Sequence, residues 1–230
     1  MTNKLEQLNE SARWHLMVEA AKQGAISQGY ALERVPGRGL SNIWTITKDG
    51  KSQRASIRTT RDRWFAFPPL AKGTKWKTLS EVDVVIVASV DSRDNPENVE
   101  VFIFPAEEVR KRFDAAYTAR KKAGKAPTDN FGMWIGLDPD KRSHHDAVSS
   151  GIIEKYKRVA LYSIDKLIAE TSQNLVEQTP GEGSGEADET GEPTPRFTTI
   201  AEVMAWARER VAELAGVKAE AIKLDLKVEY

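Results

Sequence analysis

The chain contains no cysteine among its 230 residues, which excludes disulfide bonds and zinc sites built on thiolates. A chain without cysteine is typical of a reducing compartment, in which disulfides do not persist. Its first ten residues, MTNKLEQLNE, lack the basic and apolar regions of a signal peptide, and no apolar run is long enough to cross a bilayer. We therefore expect a cytoplasmic protein that has no association with membranes.

Histidine is also scarce, since the chain has only three. His144 and His145 are adjacent and Asp146 follows them. Neighbouring side chains point apart in a strand and lie about 100° apart in a helix, whereas zinc ligands usually come from separated positions. We expect a polar loop here, and no metal site.

The chain also lacks a net charge, because it contains 34 Lys and Arg residues and 34 Asp and Glu residues. The balance conceals an asymmetry. Residues 177–195 contain acidic side chains and no basic one, whereas residues 1–176 hold more Lys and Arg than Asp and Glu. The sequence therefore predicts a mildly basic body joined to an acidic segment.

Residues 41–67 contain the clearest structural pattern in the chain. Asp49-Gly50 stands between two alternating segments, and this dipeptide favours a two-residue hairpin turn because both turn residues need positive φ. Alternation in the second strand places Ala55 and Ile57 on one face and Ser56 on the other. A third short strand is predicted to carry Trp64, Phe65 and Phe67.

The remaining elements follow from periodicity and from capping residues. Gly29 is placed to end the first helix, the Pro105-Ala-Glu-Glu segment favours the start of the second, and Ser163 caps the third. Helices are predicted over 4–28, 105–122 and 163–176. Strands are predicted over 30–35, 42–48, 53–59, 82–90, 99–104 and 157–163, and the apolar segment 133–137 is either a short strand or a buried turn. The central sheet should contain 42–48, 53–59 and 83–90, with the first helix across one face.

Three regions are predicted. Residues 1–176 form an α/β domain, and 177–195 form an acidic linker whose low apolar content indicates disorder. Residues 196–230 form a helix–strand unit: Thr199 to Glu202 match a capping box, Gly216 ends the helix, and the terminal IKLDLKVEY alternates as a half-buried strand. A unit this short cannot bury enough surface alone. We expect it to dock on the body, on a second copy or on a partner protein.

Basic side chains occur in two groups that could contact phosphate. One group lies on the strand over 53–59 and on the segment directly after it. The other lies on the second helix. The residues predicted to contact nucleic acid are Arg54, Arg58, Arg61, Arg63, Arg110, Lys111, Lys121 and Lys122. Two alternatives remain open: the helical group is a solvated helix face, and the strand arginines pair with Glu19 and Asp83 as a structural network.

The order helix, three strands with a hairpin, further strand and helix resembles the PD-(D/E)XK restriction-endonuclease-like superfamily over about residues 4–125. The resemblance implies a mixed central sheet flanked by helices. In that superfamily a Glu on the first helix, an Asp near the second strand and an E-x-K on the third hold a divalent cation that activates water. In this chain Thr59-Thr60-Arg61 and the aromatic strand with Trp64 resemble the stretch that follows E-x-K.

The resemblance extends to the architecture but not to the metal-binding motif. Glu19 matches the helix Glu, but Asn42 stands where the Asp would be, Ser56 where the second carboxylate would be, and Arg58 where the Lys would be. Clustered carboxylates bind a hard cation, and Asn and Ser supply no charge. We therefore expect no catalytic residues, no metal site and no cofactor.

Three hypotheses for function remain. The first is a non-catalytic protein of nuclease fold that binds nucleic acid, a partner protein or both, as an accessory or regulatory subunit. The second is a Mg²⁺-dependent nuclease whose active site has migrated and which would use Glu19, Asp83 and Arg58. The third is a pure protein-interaction module acting through 196–230, with a partner or by self-association.

Overall fold

The computed structural model describes residues 4–35, 42–140, 145–177 and Arg208. Within these residues there are three α-helices: α1 (Glu10–Ser27), α2 (Ala106–Lys122) and α3 (Ile164–Glu177). Ten strands accompany them: β1 (Ala31–Arg34), β2 (Ile43–Lys48), β3 (Lys51–Thr60), β4 (Trp64–Ala66), β5 (Pro69–Leu70), β6 (Lys75–Trp76), β7 (Val84–Val90), β8 (Asn98–Pro105), β9 (Trp134–Gly136) and β10 (Ala160–Ser163). None of these helices has the length and apolar character needed to cross a bilayer.

Six strands form a mixed central sheet in the order β1-β2-β3-β7-β8-β10. β3 and β7 are parallel, and the other neighbours in this sheet are antiparallel. The predicted α/β class with a mixed sheet flanked by helices is confirmed at this level. The predicted strands over 82–90 and 99–104 correspond to β7 and β8, which pair with Val84 opposite Pro105 and Val90 opposite Val99.

The hairpin between β2 and β3 has the predicted turn. Asp49 has φ 50° and Gly50 has φ 74°, so both residues adopt the left-handed conformation that this turn requires. The strands pair directly up to the turn, with Lys48 opposite Lys51.

Two apolar layers cover the two faces of the sheet. Ala55 and Ile57 lie in the layer beneath α1 and α3. The opposite layer contains α2 and an aromatic group formed by Phe65, Phe67 and Phe113. Every residue of β7 is buried, as is typical of a central strand that is covered on both faces.

The first helix differs from its prediction over 4–28. A short 3-10 helix spans Lys4–Gln7, and α1 begins only at Glu10. The break follows from Asn9, whose side chain accepts the N–H of Ala12 and so caps a new helix. Gly29, with φ 84°, follows the end of α1 as predicted.

The short aromatic strand lies outside the central sheet. β4 pairs with β9, with Phe65 opposite Ile135, and we call this pair the aromatic ribbon. Phe67 follows β4, and its N–H is bonded to the Met133 carbonyl at 3.1 Å. Residues 36–41, most of the predicted linker and all of the helix–strand unit except Arg208 lie outside the described residues. The chain divides into two compact units, Met1–Glu186 and Ala187–Tyr230, and Arg208, which is helical and exposed, is the described residue of the second.

Candidate functional site

A cleft of about 460 Å³ lies where β3 and β7 end. Because the two strands are parallel, with Thr60 opposite Ser89, their carboxyl ends meet at one edge of the sheet. Ligands of open α/β sheets commonly bind at such edges. We call this site the strand-end cleft, and its lining residues are Leu5, Thr59, Thr60, Arg61, Asp62, Trp64, Val90, Arg93 and Pro96.

Asp62 shapes the turn that carries Arg61 into the cleft. Its Oδ1 accepts the hydroxyl of Thr60 at 2.8 Å and the N–H of Trp64 at 3.0 Å. Aspartate commonly organises turns by such local bonds. Arg61 is exposed at this turn, so its guanidinium is open to an anion from solvent.

Asp91 organises the opposite wall of the cleft. Its carboxylate accepts the N–H of Glu97 at 3.1 Å and the side-chain amide of Asn98 at 2.8 Å, which closes the turn between β7 and β8. Burial favours a higher pKa for Asp91, but the hydrogen bonds from Asn98, Glu97 and Ser92 outweigh it and lower the pKa. The closed turn carries the exposed Arg93 to the cleft.

Arg63 also belongs to the predicted set, but its donors are used inside the protein. Its Nη1 lies 2.8 Å from the Glu100 carboxylate and 2.7 Å from the Val90 carbonyl, and its Nε lies 2.5 Å from Asp138. Burial by itself lowers the pKa of Arg63, but the hydrogen bonds and charges of Asp138 and Glu100 outweigh it and raise the pKa. Arg63 therefore ties the aromatic ribbon to the central sheet.

The predicted strand arginines do not form one open surface. Arg54 is exposed near the beginning of β3, whereas Ser56 is fully buried and its Oγ has no hydrogen-bond partner. The Arg58 guanidinium carbon lies 4.5 Å from the centroid of the buried Phe67 ring. The middle of this sheet face is therefore covered by the aromatic layer, and Arg61 is the member of the group that reaches the strand-end cleft.

The basic residues predicted on the second helix also divide into two that are bonded within the protein and two that are exposed to solvent. Arg110 donates to the carbonyls of Leu79 and Val82 at 2.9 and 3.2 Å, and Lys111 pairs with Glu107 at 2.8 Å. Lys121 and Lys122 are exposed in the last turn of α2. The open basic surface of α2 is thus at its carboxyl end.

The residues of the nuclease alternative lie apart. Glu19 is on α1 and pairs with Lys22 at 2.6 Å, and α1 covers the face of Ile57. Arg58 belongs to the opposite face. Asp83 accepts the N–H of Arg54 at 2.9 Å at the start of β7. The prediction that the strand arginines pair with Glu19 is wrong. The carboxylate of Glu19 is paired with Lys22 of its own helix.

Potential metal ligands are dispersed over the described part of the chain. Within it, no three His, Cys, Asp or Glu side chains come together in a way that could hold a metal ion. His144 lies outside the described residues, and His145 begins a short 3-10 helix, His145–Ala147. Asn42 accepts the indole N–H of Trp44 at 2.6 Å.

Three exposed side chains near these sites were not predicted from the sequence: Arg93, Phe131 and Trp134. Arg93 is in a polar turn after β7, and the parallel pairing of β7 with β3 brings it to the same cleft as Arg61. Trp134 belongs to the apolar run MWIGL, which suggested a buried element. Strand alternation could have predicted its exposure, because neighbouring side chains in a strand point to opposite faces. Met133 and Ile135 are buried, and Trp134 between them is exposed.

Comparison of the chain with protein-family models, with curated proteins and with solved structures gives no match.

Proposed function

We propose that the protein binds nucleic acid without cleaving it, through the strand-end cleft, as an accessory or regulatory protein. The observation that carries the proposal is the convergence of Arg61 and Arg93 on one cleft beside Trp64. Guanidinium groups bind phosphate oxygens through charge-assisted hydrogen bonds. Asp62, the acidic residue of the cleft, is engaged by Thr60 and Trp64, so it fixes the turn beside the two cations.

The order of elements supports a nuclease-like fold as part of this proposal. α1 precedes the antiparallel β1-β2-β3 meander, and β7 then joins β3 in parallel. The chain reaches β7 through the short strands β4, β5 and β6 and a 3-10 helix, Leu79–Glu81. The residues at the superfamily's metal-binding positions are Asn42 and Ser56, which favours binding over hydrolysis.

The direct test is fluorescence anisotropy with labelled oligonucleotides, carried out in EDTA over a range of salt concentrations. Binding through roughly three to five phosphate contacts would give a log–log salt slope of about −3 to −4 on duplex DNA. Arg61→Glu and Arg93→Glu should each weaken binding strongly. Lys51→Glu is the matched control, because Lys51 is exposed at the other end of β3, about 30 Å along the strand.

Two outcomes would replace the proposal. Cleavage of plasmid or single strands that requires Mg²⁺ and is abolished by Glu19→Ala would establish the metal-nuclease alternative. In that case Mg²⁺ should also raise the melting temperature, since a ligand that binds only the folded state stabilises it. Absent or salt-insensitive binding, with no cleavage, would leave the protein-interaction module, which a pull-down with residues 177–230 would examine.

A further inference from the structure

The aromatic ribbon has one buried face and one outward face. Phe65 and Ile135 point inward and are buried in the core layer beneath α2. Residues directly opposite in an antiparallel pair share a face, so Trp64 with Gly136, and Ala66 with Trp134, form the outward face. An outward face that carries two tryptophans is unusual, because large aromatic side chains are normally buried.

The outward aromatic side chains extend along the ribbon from the strand-end cleft. Trp134 is 49% exposed and Phe131 is 44% exposed, and their ring centroids are 6.2 Å apart. Trp64 is partly exposed and is the diagonal neighbour of Trp134 across the ribbon. Since Trp64 also lines the cleft, the line of rings begins beside Arg61 and Arg93 and ends at Phe131. We call these three rings the aromatic track.

Basic side chains flank the far end of the aromatic track. The Arg120 guanidinium carbon lies 5.6 Å from the Phe131 ring centroid. Lys121 and Lys122 follow it and are exposed, as is Lys125, whose N–H is bonded to the Arg120 carbonyl at 2.9 Å. The aromatic track therefore has guanidinium groups near both of its ends.

Gly132 allows the Trp134 ring to take its position. A Cβ at residue 132 would lie 2.2 Å from Cη2 and 2.5 Å from Cζ2 of the Trp134 indole. The indole thus lies across the bare backbone of Gly132, which supports the ring from below and leaves its other side to solvent. Any larger residue at 132 would push the ring out of this position.

We propose that the aromatic track is a stacking surface for a single-stranded nucleic acid, whose phosphates contact Arg61 and Arg93 at one end and Lys121, Lys122 and Lys125 at the other. This inference rests on the proposed function and narrows its ligand class. Bases of a single strand are free to stack on aromatic rings, whereas those of a duplex are stacked on one another. Rings between flanking cations are the arrangement that single-strand binding requires.

The test is anisotropy of the full-length protein with a labelled single strand and with a duplex of equal length, at one salt concentration. We expect the single strand to bind more tightly. Trp134→Ala and Phe131→Ala should each weaken its binding about tenfold, as expected for the loss of one stacked base, and should leave duplex binding unchanged. Ile26→Ala is the matched control, because Ile26 is an exposed apolar side chain on α1.

Two further variants separate stacking from a general structural effect. Trp134→Phe keeps an aromatic ring and should retain most of the single-strand affinity. Gly132→Ala keeps Trp134 but displaces its ring, and it should weaken single-strand binding. Because the ring is exposed, this displacement should leave the melting temperature close to that of the wild type. Thermal melts of all variants show whether each remains folded.

The outcomes distinguish this inference from the proposed function. If duplex and single strand bind equally, and the aromatic variants behave like Ile26→Ala while Arg61→Glu weakens binding, the aromatic track is wrong and the proposed function stands. If neither nucleic acid binds, both are wrong. If Trp134→Ala instead converts a dimer into a monomer, or abolishes binding to anionic lipid vesicles without affecting single strands, the aromatic track serves a different partner and the inference is overturned.

Discussion

Arg63 and Glu100 form an ion pair that is almost removed from solvent: Nη1 lies 2.8 Å from Oε2, and the side chains are 15% and 11% exposed. The other oxygen of Glu100 accepts Arg158 at 2.7 Å, and Arg63 reaches Asp138 at the same time. Glu100 lies on β8 and Asp138 follows β9. The pair therefore joins the central sheet to the segment after the aromatic ribbon.

Glu100→Gln should lower the free energy of unfolding by roughly 2 kcal/mol, because it removes one of the two carboxylates that pair with the mostly buried Arg63 guanidinium, while Asp138 remains. Urea denaturation measures this loss. Asp165→Asn is the control, since the Lys4–Asp165 pair is exposed at both ends and should contribute at most about 1 kcal/mol. Equal losses in the two variants would show that burial does not distinguish the pairs.

Asp91 should make the free energy of unfolding depend on pH in the acidic range. Its pKa is lowered in the folded protein, so its contribution is fully present above the unfolded value of about 4 and is lost as the pH falls through the folded value. Asp91→Asn should lower the free energy of unfolding at neutral pH by about 1 kcal/mol and flatten its decline below about pH 4. Melting temperatures of both proteins over this range check the prediction, and parallel pH profiles would contradict it.

Gly24 is a point of close approach between α1 and β8. A Cβ at residue 24 would lie 2.6 Å from Cγ1 and 2.9 Å from Cβ of Val101. Gly24→Ala should therefore destabilise the protein by about 1–2 kcal/mol, because overpacking exceeds the gain of up to about 1 kcal/mol in helix propensity. In a Val101→Ala background the same change should be neutral or stabilising. A double-mutant cycle measures this coupling, and additive effects would refute the contact.

Ile57 and Val85 lie in the two different core layers, and both are fully buried. Ile57→Asp and Val85→Asp should each lower the free energy of unfolding by several kcal/mol, on the order of the cost of an unpaired buried charge. Arg54→Asp on the exposed part of β3 is the control, and it should have a much smaller effect. Normal melting of either buried variant would show that the central sheet is assigned incorrectly.

Local sequence was sufficient where one residue type decides the backbone. The Asp49-Gly50 turn, the end of α1 at Gly29 and the entry to α2 after Pro105 were all predicted, since each depends on a conformation or a missing donor that neighbours in sequence specify. The break before α1 was missed because the apolar residues Leu5 and Leu8 continue the helical period across it, while Asn9 offers a cap that ends the continuity.

The candidate site depended on pairings that no local pattern encodes. Alternation correctly placed Ser56 and Ile57 on opposite faces of β3, yet it could not show that the face of Ser56 and Arg58 would be covered by Phe67. Arg61 was predicted to bind phosphate, but Arg93 joins it only because β7 runs parallel to β3. Trp134 became part of an outward surface only when β9 paired with β4 rather than entering the sheet.

The amino-acid sequence alone determined most of the element types, the hairpin register and the central strand over 83–90, because propensity and turn chemistry act over a few neighbouring positions. Tertiary structure decided which cations remain open to a ligand. Arg58, Arg63 and Arg110 have much the same sequence character as Arg61, but the first stacks on a buried ring and the other two donate to internal acceptors. A guanidinium binds whichever acceptor the fold brings within reach, and chain positions as distant as 63 and 138 are brought together only by long-range packing.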